Sequence, residues 1–269
     1  MQHGDVSQAG EGTALRDLIL AQTHRGAGVP VLLRTRPAAS DEARPYGAAA
    51  YRVQVDLAAR LLDGPGLSDG LSDGLSGPQP GSLAAELLER PLLALNFHRV
   101  RGRNQGVVRE QLTRAAALGR SYDLDAPVQQ AGEVRVLVGF YDGFARTAEF
   151  AAELCHGLGL RAVFFPIFYA PTSGRLLSDA QLADIARVHE VGFHTTRHVA
   201  AAEIDDANLG PEVLEPFRRI ERVAGRAPRI GAWRGGTRFD ARLLGNRALA
   251  GLGVTHLVSN WSVEGLPGA

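Results

Sequence analysis

The sequence predicts an α/β fold: a distorted parallel (β/α) barrel of about six to seven strands, with an extra N-terminal α/β element. Two observations carry this. From Pro91 onward, short apolar runs alternate with helical patterns of ten to fifteen residues, which indicates βαβ units and a parallel sheet. Five runs then end in residues suited to chemistry: LLALNFH at His98, VRVLVGFYDG at Tyr141 and Asp142, EVGFHTTRH at His194 and His198, RIGAWR at Arg234, and THLVSNW at Asn260 and Trp261. In a parallel barrel the carboxyl ends of the strands meet on one face, where active sites are built.

Taken in order, Gly12 to Thr23 and Leu57 to Leu62 read as helical, while VPVLLRT and AYRVQVD read as strands. Residues 1–63 thus form a small α/β element of unknown role. The stretch 64–81, GPGLSDGLSDGLSGPQPG, is too rich in Gly, Ser and Pro to order itself by burial and reads as a flexible linker. The barrel domain is assigned to residues 82–269. Pro91 to Phe97 is an apolar strand, and Val107 to Leu118 a helix stopped by Gly119. Val134 to Phe140 is a strand, and Ala145 to His156 a helix. Arg161 to Phe168 is a strand. Ser178-Asp179-Ala180-Gln181 is a capping box opening a helix to His189. Val191 to Phe193 is a short strand. Pro211 opens a helix that ends near Gly225. Ile230 to Trp233 is a strand, Asp240 caps a helix to Leu249, and Val254 to Ser259 is a strand.

Bulk properties narrow the function. The 269 residues, 45% hydrophobic, suffice for a sizeable core, and a formal net charge of +0 gives no electrostatic footprint for nucleic acid. All 29 basic residues are arginine. The lone cysteine, Cys155, lies in a helical pattern and reads as core packing; no disulfide within the chain can form. No basic start followed by an apolar run marks a signal peptide, and no long apolar run marks a membrane span, so the default expectation is a cytoplasmic protein, or an extracellular or periplasmic one if a leader precedes it.

His194 and His198 are four residues apart, so a helical turn after the strand would put both imidazoles on one face. Two histidines and one carboxylate leave an open position for water, as catalytic zinc requires, and Asp142 at another strand end is the natural third ligand. The spacing alone equally admits two unrelated loop histidines. Likewise Tyr141-Asp142-Gly143 admits an ordinary strand-to-helix turn. Trp233 and Trp261 read either as sugar-stacking platforms or as core plugs.

These residues together resemble the polysaccharide deacetylases, which include chitin and peptidoglycan deacetylases. The family's first motif, F-D-D-G, is similar to Phe140-Tyr141-Asp142-Gly143, and its second, His-Ser/Thr-x-x-His, to His194-Thr195-Thr196-Arg197-His198. The resemblance spans roughly Pro91 to Trp261 and implies Asp142, His194 and His198 as ligands of a divalent metal, usually zinc. It also exposes departures. The family's catalytic base, an Asp, is replaced by Tyr141, whose phenol with a pKa of about 10 is a poor base at neutral pH. The third motif, Arg-x-Pro-aromatic, is matched in part by Trp233-Arg234-Gly235-Gly236, so Arg234 is expected to lack the carboxylate it supports in the family. In the fourth region Asn260-Trp261 keeps only the Trp.

The fifth motif, an apolar strand ending in His, is expected near the end of the chain but is found at LLALNFH. This resembles circularly permuted members that deacetylate exported poly-N-acetylglucosamine. His98 would then be the general acid, and the strand Leu92–Phe97 would lie beside Val254 to Ser259. Without the permutation, His98 reads as a hydrogen-bonded histidine at a strand end. The resemblance implies a metal-dependent hydrolase acting on an N- or O-acylated carbohydrate. The rival expectations are a catalytically impaired pseudoenzyme that binds carbohydrate or metal, and a cytoplasmic amidase acting on a small substrate.

Overall fold

The computed structural model describes residues 28–37, 48–64, 79, 81–126, 129–169 and 174–266. Nine strands form one sheet: β1 (Val29–Pro37), β2 (Leu92–Phe97), β3 (Arg120–Ser121), β4 (Arg135–Asp142), β5 (Ala162–Pro166), β6 (Glu190–Val191), β7 (Ile230–Ala232), β8 (His256–Val258) and β9 (Ser262–Gly265). Eight of them run in the order β6-β5-β4-β2-β1-β9-β8-β7, and β3 pairs with β4 off this path. The two ends nearly meet. Phe193, just past β6, forms a parallel bridge to Gly231, donating to Ile230 O at 2.9 Å and accepting from Ala232 N at 3.0 Å. The result is a nearly closed eight-stranded barrel.

Alternation along each strand sorts the core into two layers. Leu92, Ala94, Leu137, Val163 and Phe165 fill the barrel with Val31, Leu33, Ile230 and Val263. Leu93, Leu95, Val136, Val138 and Phe164 face the surrounding helices with Val108, Leu112, Ala148 and Leu154. A third cluster around Phe193, Trp233, Phe217 and Leu249 covers the β7 side.

Four expectations need correction. First, AYRVQVD is not a strand: it begins the helix Ala48–Asp63, which buries Tyr51, Gln54, Ala58, Leu61 and Leu62. Those spacings of three and four make one helical face, and this overrides the β-branched Val53 and Val55. Second, β1 is a stave of the barrel. It pairs antiparallel with β2 and parallel with β9, so the described part of residues 1–63 is joined to the barrel by main-chain bonds. Third, β2 does not lie beside β8, because β1 and β9 stand between them; the hairpin partner β9 had no sequence signal. Fourth, Asp240 is not a helix cap. Its carboxylate accepts from Arg242 N at 2.9 Å, while the helix Leu244–Gly251 starts at Leu243 with no side-chain cap. The capping box at Ser178 and Gln181 forms as read. The helix reading at Gly12 to Thr23 and nearly all of the linker fall outside the described residues.

Candidate metal centre

The carboxyl ends of β4 and β6 bring Asp142, His194 and His198 together, with one ligand atom of each within 4.8 Å of the others. His198 Nε2 lies 3.7 Å and His194 Nε2 3.9 Å from Asp142 Oδ1. The local backbone is forced into this arrangement. Asp142, Thr195 and His198, at φ of 68°, 57° and 59°, are the only non-glycine residues with positive φ among the described residues. Left-handed backbone costs an L-residue roughly 1–2 kcal/mol, and such strain concentrates at functional sites. The Thr195 hydroxyl accepts from Val199 N at 3.1 Å and holds the turn that returns His198 toward His194.

Protonation states suit cation binding. His194 is 2% exposed, and its Nδ1 donates to the carbonyl of Ala232 at the end of β7, 2.7 Å away. That bond fixes the tautomer and leaves Nε2 as a lone-pair donor. Burial, helped by the charge of His198, brings His194 down to about 4, so it is neutral at physiological pH. Burial also lowers His198, against the pull of Asp142. For Asp142, burial alone would raise the carboxyl; the hydrogen bond and charge of His98, with the charges of His194 and His198, hold it below its ordinary value. Asp142 Oδ1 and His194 Nε2 are both buried with no hydrogen-bond partner. Two unpartnered acceptors, aimed at one point with a second imidazole, fit a divalent cation.

Around this set, His98 Nδ1 lies 3.1 Å from Asp142 Oδ2, leaving Nε2 on the far side of a ring whose side chain is 36% exposed. Tyr141 stacks on Phe165 at 4.8 Å and on His98 at 5.1 Å, and meets His194 edge-on at 5.5 Å. Its hydroxyl turns back along the strand toward Gly139 and donates to Asn96 Oδ1 at 3.2 Å. Burial, then the charge of Asp142, raises the phenol well above its ordinary range. Tyr141 therefore lines the site with its ring, while its hydroxyl is bonded to Asn96.

Other expected site residues fare differently. Arg234 does not lack a carboxylate: its Nη2 lies 2.6 Å from both oxygens of Glu203, an exposed pair. Its charge reaches His198, which it helps to lower. Trp233 is 1% exposed and its indole donates to Asn246 at 2.7 Å, so no ring face is open to a sugar. Trp261 is half-buried against the barrel interior, and its carbonyl accepts from Arg34 N and from Gln54 Nε2. Asn260 clips the two loops together, donating Nδ2 to Gly235 O at 2.8 Å and N–H to Gly236 O at 3.0 Å. Sequence reasoning missed Asn96, Ala232 and Glu203. Only Asn96 carried a signal: it is the polar residue in the inward row Leu92, Ala94, Asn96.

No protein-family model matches the chain, and no curated protein matches its sequence. Solved structures do match in shape. The Streptococcus pyogenes deacetylase PplD, in complex with acetate, aligns at a TM-score of 0.50 and 14% identity over 61% of this chain and 80% of that one. IcaB from Ammonifex degensii aligns at 0.50 and 15% over 62% and 83%. A polysaccharide deacetylase from Bacillus cereus aligns at 0.45 and 15% over 58% and 55%. Among the described residues no helix is long and apolar enough to cross a membrane. With its nearly closed α/β barrel, the chain has the polysaccharide-deacetylase-like fold.

Proposed function

We propose that the chain is a metal-dependent hydrolase that removes an acyl group, an acetyl above all, from an N- or O-acylated carbohydrate. The observation that carries this reading is the pair of buried, unpartnered atoms Asp142 Oδ1 and His194 Nε2 converging with His198. Asp142, His194 and His198 would hold the cation, zinc by donor type. A cation bound there supplies Lewis-acid polarisation of the acyl carbonyl and lowers the pKa of water. His98 is the proton carrier: with Nδ1 held by Asp142, its Nε2 takes and returns the proton, ending on the leaving nitrogen or oxygen. The stacked rings of Tyr141 and Phe165 would close the site on its barrel side. The Arg234–Glu203 pair, whose arginine charge reaches His198, would orient the sugar together with Trp261.

A second reading rests on Tyr141. Its hydroxyl faces Asn96, so no carboxylate stands where the similar family keeps its base. This favours an impaired member that binds carbohydrate or metal without turnover. Hydrolysis of 4-nitrophenyl acetate, with zinc and with chelator, separates the two. Turnover that chelator abolishes and zinc restores supports the hydrolase. Stoichiometric zinc binding without turnover supports the impaired binder, and absence of zinc binding overturns the hydrolase and the metal-binding form of the second reading.

A further inference from the structure

The segment after β2 is joined residue by residue to the end of β4 and the first turn of the helix Ala145–Gly157. His98 bonds to Asp142, the Arg99 guanidinium lies 4.8 Å over the ring of Phe144, and Val100 is held at both main-chain groups by the hydroxyl of Thr147, at 3.1 and 3.3 Å. The segment after β2 is thus fixed to the segment that carries the candidate ligand. It is also one-signed. From His98 to Arg109 the chain has arginines at 99, 101, 103 and 109 and no Asp or Glu, in a protein whose formal net charge is +0.

Arg99 and Arg109 rest on the rings of Phe144 and Phe150. Arg101 and Arg103 are exposed, and among the described residues neither side chain makes an ion pair or hydrogen bond. Most other arginines near the site are paired, Arg234 with Glu203, Arg197 with Glu212 and Arg175 with Glu149. Arg101 and Arg103 lie three and five residues beyond His98, within about 11 and 18 Å of extended chain. Two unpaired guanidinium forks on an anchored loop suit bidentate binding of a phosphate or carboxylate.

We infer that the substrate carries an anionic group close to its acylated sugar, seated by Arg101 and Arg103. This deepens the hydrolase reading and rests on it for the position of the acyl group. The test is calorimetric binding to chelator-treated full-length protein at low ionic strength. The probes are N-acetylglucosamine, its 6-phosphate, and a disaccharide of N-acetylglucosamine and glucuronate.

At least one anionic probe is expected to bind tenfold tighter than the neutral sugar, and added salt should shrink the gap. Which of the two does so identifies phosphate or carboxylate. The double variant Arg101→Gln/Arg103→Gln should abolish the preference with an unchanged thermal midpoint, since neither side chain has a partner to lose. Equal binding of all three sugars overturns the inference, as does a preference that survives in the variant. Loss of zinc binding and aryl acetate turnover is a separate readout: it would sink the hydrolase reading and leave this sugar comparison intact.

Discussion

Tyr141 donates its phenol to Asn96 Oδ1 at 3.2 Å, so the hydroxyl is engaged by the neighbouring strand. The two residues come from neighbouring strands, β4 and β2, in which Asn96 registers with Gly139, and a Cβ at Gly139 would crowd the Tyr141 ring at 3.0 Å. Tyr141→Phe should therefore lower stability by about 1 kcal/mol, the net worth of one hydrogen bond. It should change kcat by less than about threefold, because general acid–base groups contribute roughly 10²-fold or more. A hundredfold fall in kcat at unchanged stability would mean that the hydroxyl takes part in the reaction.

Asp142→Asn should remove cation affinity while leaving the fold in place. Asp142 offers Oδ1 to the centre and Oδ2 to His98, and an amide keeps only one oxygen. For the unsubstituted protein, zinc at a hundred times its Kd should stabilise the folded state by about 2.7 kcal/mol. Differential scanning fluorimetry should record this rise in the unsubstituted protein and none in the variant.

Acid should weaken the metal-free protein from near neutral pH downward. His189 and His256, remote from the metal centre, are both lowered by burial, so the folded state resists protons that the unfolded chain accepts. Stability is then full above about 6.5 and falls as pH drops through that value toward the folded pKa. Urea midpoints in chelator should be lower at pH 5.5 than at pH 7.5, and His189→Gln should flatten part of the slope. Equal midpoints for the unsubstituted protein would contradict this account.

Gly236→Ala should cost roughly 2 kcal/mol, the sum of a left-handed alanine and a lost hydrogen bond. Gly236 has φ +63°, and a Cβ there would come within 2.3 Å of Asn260 Oδ1, displacing the side chain that bonds to Gly235 O. Chemical denaturation measures the cost; a neutral substitution would show that the clip between these loops is dispensable.

The readable parts of this chain were those that local chemistry decides. The alternation of apolar runs and helices after Pro91 reflects strands buried on both faces, and the Ser178 box reflects a local exchange of hydrogen bonds. Neither depends on distant sequence. The placement of β1 and β9 was opaque, because a strand's neighbours are chosen by long-range pairing that a short window does not encode. The helix Ala48–Asp63 was misread in part because Tyr51, Val53 and Val55 alternate, although the buried set Tyr51, Gln54 and Ala58 follows the helical period. At the site, strand ends revealed which residues arrive, including Asp142 and His194. They did not reveal the direction of the Tyr141 ring or that Glu203 waits for Arg234, since both depend on side-chain packing across elements.

The pairing of β1 with β9 sets the timing of assembly. Arg34 registers with Ser262, so β1 waits for a strand made more than two hundred residues later. Until then β1 can zip only onto β2, and its other edge, with that of the β2–β4–β5–β6 half, stays open to any passing strand. Closing so long a loop is slow, and open edges in partly built sheets invite intermolecular pairing. Refolding yield should thus fall steeply with protein concentration, and the last residues of the barrel act as its latch.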